Sequence, residues 1–280
     1  MEKLIDDDPK KFFKHVNFKK GKSEDLPHEM TYLDVKASDQ TTIASLFAKH
    51  FGSVYSSLEG DLRYESSEIE KIRDICAEIS MIEITEELVG QYISMLPDDL
   101  GPISTLLKES LETATVPQLW RTSFVKPVYK NGDINNVQNY RGVALQCITA
   151  KILDSIVTDH LNLYLKNIVH ESQHGFIKNR STITNLVEFT SKTIINMGRR
   201  YQTDAIYLDI AKAFDSVNLN LLIQKLEIMG LNEQLLKWIK SYLSGRRQIV
   251  KIANIKSDPI EVTSGTGQDI PLALLCSSCL

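Results

Sequence analysis

The sequence predicts a mixed protein of the α+β class, helix-rich at its front. Three observations carry that expectation. Apolar residues recur at helical spacing in long stretches, among them Ile43, Leu46, Phe47 and Phe51, and then Ile148, Ile152, Ile156, Leu161, Leu165 and Ile168. Strand-like alternation is confined to shorter runs at 122–129, 204–210 and 247–264. Of the 280 residues, 42% are apolar and 24% charged, the balance of a globular chain able to bury a core.

Taken in order, residues 1–37 are highly charged and weakly periodic, which predicts a partly ordered lead-in. From Ser38 the pattern turns helical, with one apolar face running from Ile43 to Val54. Residues 60–72 read as a loop into a short segment. Thr85 is placed to cap a helix carrying Leu88, Ile93 and Leu96, ended by Pro97 and Gly101, with another helix over 103–114. TSFVKPVY at 122–129 reads as a strand, and because Pro127 lacks an N–H the expectation is an edge or bulged strand. Lys130-Asn131-Gly132-Asp133 is a turn signal. The long amphipathic helix from Ile148 follows, then a helix from Ser181 to Gly198. Residues 204–210 predict a strand with Ile206, Leu208 and Ile210 on one face, Tyr207 and Asp209 on the other. Helices at 219–229 and 233–243 are closed by Gly230 and Gly245. Last, 247–254 and 260–264 alternate around Lys256-Ser257-Asp258-Pro259, a predicted hairpin.

Composition narrows the function classes. No run approaches the ~18 apolar residues of a membrane span, and the opening MEKLIDDDPKK is too acidic for a signal peptide. The four cysteines, Cys76, Cys147, Cys276 and Cys279, are too few for a disulfide scaffold and do not form a four-ligand zinc set. The expectation is an intracellular, reducing setting, nucleus or cytoplasm, with no membrane partner. A net charge of −4 argues on its face against nucleic-acid binding. The distribution changes that. Residues 1–110 hold 13 basic and 22 acidic side chains, whereas 111–280 hold 19 and 14, so phosphate contacts fit only the second part.

The strongest chemical signal is the run from Tyr207 to Asp215, YLDIAKAFD, in which a strand would deliver Asp209 at its carboxyl end and a second acid follows six residues on. A hard cation such as Mg²⁺ takes oxygen ligands, so a strand-end carboxylate beside a backbone carbonyl makes a partial site, and two-ion phosphoryl transfer needs further carboxylates. Read alone, an aspartate there serves a turn or a helix cap just as well. The surroundings decide between these. LFAKHFGSVY at 46–55, VPQLWRTSFVKPVYKNGD at 116–133, NYRGVAL at 139–145, QHGFIKNRSTITNL at 173–186, YLDIAKAFDSVN at 207–218 and YLSGRRQIV at 242–250 occur in this order. Together they resemble the reverse transcriptase domain of non-LTR (LINE-like, jockey-type) retrotransposons.

That resemblance implies a right-hand polymerase in which 1–84 form an N-terminal extension, 85–200 the fingers-like region and 201–280 part of the palm. It implies a DNA primer extended on an RNA template from deoxynucleoside triphosphates with Mg²⁺. Asp209 would bind the metal ions with the Ile210 carbonyl beside it, and Phe214 would lie under the incoming sugar. Lys130 and Arg141 would hold the triphosphate, Arg through its planar fork and Lys as a point charge. Gln173, Phe176 and Arg180 match the segment near the template. Gln268, in Ser264-Gly265-Thr266-Gly267-Gln268, belongs to the next palm motif, on the substrate side. Arg246 and Arg247 read either as nucleic-acid backbone contacts or as an exposed basic turn.

The pattern also breaks. The palm motif calls for glycine where Asp269 stands, and no paired-aspartate motif or upstream endonuclease is recognisable within the 280 residues. Restoring one base after the Gln268 codon is compatible with the expected Ser-Pro-Leu continuation, which makes Cys276 and Cys279 an out-of-frame accident; the coding DNA tests that. The expectation is a palm truncated before its central hairpin, with an incomplete sheet, weak metal binding and no activity on its own. Two alternatives stand beside it: a non-catalytic RNA-binding or interaction remnant, and a decayed element product without a role.

Overall fold

The helices begin where short polar side chains can take their first N–H groups. The structure, a computed structural model, describes residues 26–55, 81–93, 100–165, 171–175, 177, 179–209 and 212–266. Asp39 accepts from the Thr42 N–H at 2.8 Å and opens α1 (Gln40–Gly52), whose Ile43, Leu46, Phe47 and Phe51 are buried. Thr85 accepts from the Leu88 N–H at 3.1 Å and opens α2 (Glu86–Tyr92). That helix stops at Tyr92, short of the predicted Leu96, and α3 (Leu100–Thr113) takes Gly101 into its first turn rather than using it as a stop. The later helices follow prediction closely: α4 (Ile148–Leu165), α5 (Thr182–Gly198), α6 (Leu219–Ile228) and α7 (Glu233–Leu243).

Ahead of α1 stands a small hairpin, β1 (Met30–Tyr32) and β2 (Val35–Ala37). The lead-in, expected only to be partly ordered, is thus partly strand among its described residues. The main sheet holds β3 (Thr122–Tyr129), β4 (Tyr140–Leu145), β5 (Arg246–Ile252), β6 (Ile255–Lys256) and β7 (Ile260–Val262). β3 pairs antiparallel with β4 over its last six residues and parallel with β5 from Thr122 to Val125. This corrects the edge-strand expectation. β3 lies between β4 and β5, flanked on both sides at Phe124 and Val125, and Pro127 sits two residues past the last β5 pair, where its missing N–H costs no bond to β5. The predicted hairpin also shifts. The tight turn falls at Ala253 (φ 50°), joining β5 to β6, and β7 returns to pair with Arg246–Gln248.

The strand expected over 204–210 does not form in its described part: 204–209 carry no strand pairing, and Ile206, Tyr207 and Leu208 are 83–91% exposed. Alternation fits a sequence to a pleat, but a strand exists only when a neighbour takes its backbone N–H and C=O groups. Among the described residues no strand does so for 204–209.

Two cores result, and each crosses the segment boundaries drawn from sequence. One face of the sheet (Val125, Tyr140, Val250) packs on α1 through Phe47 and Phe51, with Phe47 edge-on to Tyr140 at 5.1 Å between ring centroids. The other core gathers α2, α3, α4, α6 and α7 around Leu107, Leu153, Leu222, Leu235 and Trp238. The Trp238 indole N–H donates to Ser110 Oγ at 3.0 Å, and that hydroxyl donates to the Thr115 carbonyl at 2.7 Å. α5 stands apart, with no buried residue and a reciprocal cap between Ser181 and Thr184.

Inside the helical core Asp154 is fully buried, and neither carboxylate oxygen has a hydrogen-bond partner. Burial pushes its acid well above the ordinary aspartate range, outweighing the pull of Lys151. The folded chain therefore holds this proton more tightly than the unfolded chain. The destabilisation due to ionising Asp154 is absent below the ordinary aspartate pKa and grows as pH rises toward its native value. Asp154→Asn is expected to be more stable than the parent chain, with a gap in urea midpoint that widens as pH rises above the ordinary aspartate range. A gap that is flat or narrows with pH would refute the assignment.

Candidate functional site

The run of 201–209 ends on Asp209, which is exposed; Ile210, named with it as a metal ligand, lies outside the described residues. The chain then turns tightly: the N–H groups of Asp215 and Ser216 donate to the Lys212 carbonyl at 2.9 and 3.1 Å, with Lys212 at φ 54°. Phe214, half-buried, lies in this turn.

Far along the sequence, 264–266 dock onto the turn by three hydrogen bonds. Ser264 Oγ donates to the Asp215 carbonyl at 2.7 Å, the Gly265 N–H to Val217 at 2.9 Å and the Thr266 N–H to Phe214 at 3.1 Å. Gly265 is required twice over. Its φ is +76°, and a Cβ there would lie 2.5 Å from the Phe214 carbonyl oxygen and 2.7 Å from Asp215 Cα. Behind the loop, Arg246 donates through Nε to the Leu243 carbonyl at 3.0 Å and through Nη2 to the carbonyls of Ser264 and Gly265. Tyr55, just past α1, closes the same corner; its phenol is pushed up to about 12, by burial first and then by Asp215. Gln268 lies outside the described residues.

Lys130 and Arg141 flank the β3–β4 connection and are both exposed. The Lys130 N–H donates to the Asn139 carbonyl at 2.9 Å, and Arg141 pairs across the strands with Val128. The β1 strand props this connection, with the Thr31 N–H donating to Asn135 at 2.7 Å.

The segment matched to the template region is stapled to α5. His174 meets Thr184 Oγ1 through Nδ1 and Glu188 Oε2 through Nε2, both at 2.8 Å. Lys192 first, then His174 and Ser172, hold the Glu188 carboxyl down at about 2. Arg180 donates to the backbone carbonyls of Glu171 and Gln173, so its guanidinium shapes this loop. Gln173 is half-buried in the same loop, and Phe176 lies outside the described residues.

Cross-strand partners share a face, and alternate residues change face. The sheet face opposite α1 therefore carries Phe124, Lys126, Val128, Arg141, Val143, Leu145, Arg247, Ile249, Lys251 and Lys256. None of these is buried. Five are cationic, against one carboxylate, Glu261, opposite Arg247. The Lys256 and Lys251 ammonium groups lie 5.2 and 5.8 Å from the Phe124 ring centroid. Of this face, sequence reasoning had singled out only Arg141 and Arg247. The period-2 alternation of TSFVKPVY and RQIVKI held the signal for the others, but only the pairing of β3 with β5 joins the two runs.

The comparison with protein families is decisive at this point: residues 128–277 match the model described as reverse transcriptase (RNA-dependent DNA polymerase). The chain belongs to the reverse transcriptase family. Among curated proteins, this reverse transcriptase chain is 25% identical over 189 residues to the transposon TX1 uncharacterized 149 kDa protein of Xenopus laevis. It is 23% identical over 159 residues to the retrovirus-related Pol polyprotein from type-1 retrotransposable element R2 of Popillia japonica. It is 25% identical over 165 residues to the probable RNA-directed DNA polymerase from transposon BS of Drosophila melanogaster. These alignments cover 66%, 56% and 58% of the chain but only 14%, 22% and 18% of the relatives, so it spans less than a quarter of their length.

Reverse transcriptases use divalent metal ions. Among the described residues no three His, Cys, Asp or Glu side chains converge on one point, and Asp209 contributes a single exposed carboxylate. One carboxylate does not fix the octahedral ligand set that Mg²⁺ demands, so the described residues do not by themselves fit a two-ion centre. Among them, too, no helix is long and apolar enough to cross a membrane.

Proposed function

We propose that this chain is the fingers-like part and the beginning of the palm of an RNA-directed DNA polymerase from a non-LTR retrotransposon of the jockey type. Its work is to hold an RNA template and a DNA primer while dNTPs are added. The observation that carries the reading is the open, basic face of the five-stranded sheet. Arg141 lies on it beside the Lys130 connection, with Lys126, Arg247, Lys251 and Lys256 set around Phe124. Cations at strand spacing follow a phosphate backbone without reading bases, and an exposed aromatic adds a surface on which a base can stack. Asp209 is the one carboxylate proposed to face a divalent ion, and the described residues do not complete that site on their own.

Primer extension on an RNA template with dNTPs and Mg²⁺, run beside Asp209→Ala, tests the reading. Incorporation that Asp209→Ala abolishes supports the polymerase chemistry and overturns the expectation that the chain is inactive on its own. Binding of the RNA–DNA duplex that ignores salt, together with no incorporation, overturns it. Salt-dependent binding with no incorporation favours the non-catalytic RNA-binding alternative. The sheet face makes its own prediction for that binding assay. The double substitution Lys251→Ala with Lys256→Ala is expected to flatten the slope of log K against log salt by about 1–2, at roughly 0.7–0.9 for each phosphate no longer neutralised. An unchanged slope would remove these two lysines from the nucleic-acid path.

A further inference from the structure

We infer that Arg246 is a positioning residue of the polymerase site, acting through the 264–266 loop on the turn that carries Phe214, and not a contact to nucleic acid. Its activity arm rests on the polymerase reading; its structural arm does not.

Arg246 and Arg247 are neighbours in β5, so their side chains leave opposite faces of the sheet. Arg247 lies on the open face, opposite Thr122 and Glu261. Arg246 turns the other way and is half-buried. Its guanidinium divides its donors: Nε takes the carbonyl at the end of α7, and Nη2 takes the two carbonyls of Ser264 and Gly265. A planar fork with fixed donor directions can do both at once, which a lysine ammonium cannot. Ser264, Gly265 and Thr266 are all buried, and each passes one hydrogen bond on to the 214–217 backbone.

The consequence is a chain of fixed groups, from α7 through Arg246 and 264–266 to Phe214. The ring proposed to lie under the incoming sugar is thus positioned by a residue that never touches the nucleotide. Tyr55 and Gln248 pack on the same corner, so the segment after α1 also bears on it.

Hydrogen exchange on the full 280-residue chain tests the inference without any need for catalysis. In Arg246→Gln the peptides covering 264–266 and 214–217 should exchange at least tenfold faster than in the parent chain, while peptides around Trp238 stay protected. Arg247→Gln should leave the 264–266 exchange unchanged. Arg246→Lys, which keeps the charge, should fall between, and it stands in if Arg246→Gln fails to fold. Equal protection in Arg246→Gln or Arg246→Lys and in the parent chain would overturn the inference, as would equal loosening in Arg247→Gln.

Where incorporation is measurable, Arg246→Lys should lower the preference for dNTP over rNTP severalfold with primer–template affinity unaltered. A fall in affinity and in salt slope, with exchange unchanged, would instead make Arg246 a nucleic-acid contact. Absence of incorporation bears on the polymerase reading alone, since the exchange result decides the role of Arg246.

Discussion

Trp238→Ala is expected to cost about 3–5 kcal/mol, enough to remove a large part of the roughly 5–15 kcal/mol that holds a typical domain. The indole has no exposed surface. It stacks on Tyr242 at 5.0 Å between ring centroids, tilted by 11°, and its N–H is satisfied by Ser110. Alanine leaves a cavity at the meeting point of α3 and α7, and the neighbours that line it come from elements too rigid to collapse fully. Trp238→Phe keeps most of the volume and loses one hydrogen bond, for which about 1–2 kcal/mol is expected. Urea unfolding followed by fluorescence can read both variants, because Trp120, also buried, remains as reporter. Equal midpoints for the alanine variant and the parent chain would mean that the two core helices do not pack as described.

Gly265→Ala should be nearly as damaging, for a local reason. The left-handed backbone costs a residue with a Cβ roughly 1–2 kcal/mol before any contact is counted. The new methyl then meets the Phe214 carbonyl oxygen at 2.5 Å and Asp215 Cα at 2.7 Å, backbone atoms with no rotamer to retreat into. Relief requires the 214–217 turn to part from 264–266, losing three hydrogen bonds worth about 0.5–1.5 kcal/mol each. A destabilisation of about 3 kcal/mol or more follows, with faster exchange in the same peptides that report on Arg246. Gly198→Ala is the control. Nothing lies within 4 Å of a Cβ at that helix end, so a change within about 1 kcal/mol is expected, stabilising if anything. If the two glycine variants unfold alike, the docking of 264–266 on the turn is not a feature of the protein in solution.

Both predictions concern contacts between segments more than a hundred or nearly fifty residues apart, and such contacts separate what could be read from the sequence from what could not. The helices were legible because their causes are local. Thr85 and Ser181 cap where short polar residues precede an apolar period, and the faces of α1, α4, α6 and α7 repeat at helical spacing. Asp209, Lys130 and Arg141 were legible as candidates because several ordered motifs around them agree with one family, and the family match over 128–277 bears that family out.

What the sequence by itself determined, then, is which stretches are helical, where the capped helices start, which faces are apolar and which family the chain joins. The tertiary structure alone decided which strands become neighbours. It made β3 interior despite Pro127, because β5 pairs only with the half of the strand ahead of the proline. It left 201–209 unpaired despite the strand-like spacing of Ile206 and Leu208, because no described strand takes up its backbone groups. It also divided two adjacent arginines, sending Arg247 to the open face and Arg246 to the carbonyls of 243, 264 and 265. The physical reason is the same in each case. Capping and helical periodicity act over a few residues and leave their mark in the local sequence, whereas a ladder partner or a carbonyl acceptor is supplied by a distant segment and leaves none.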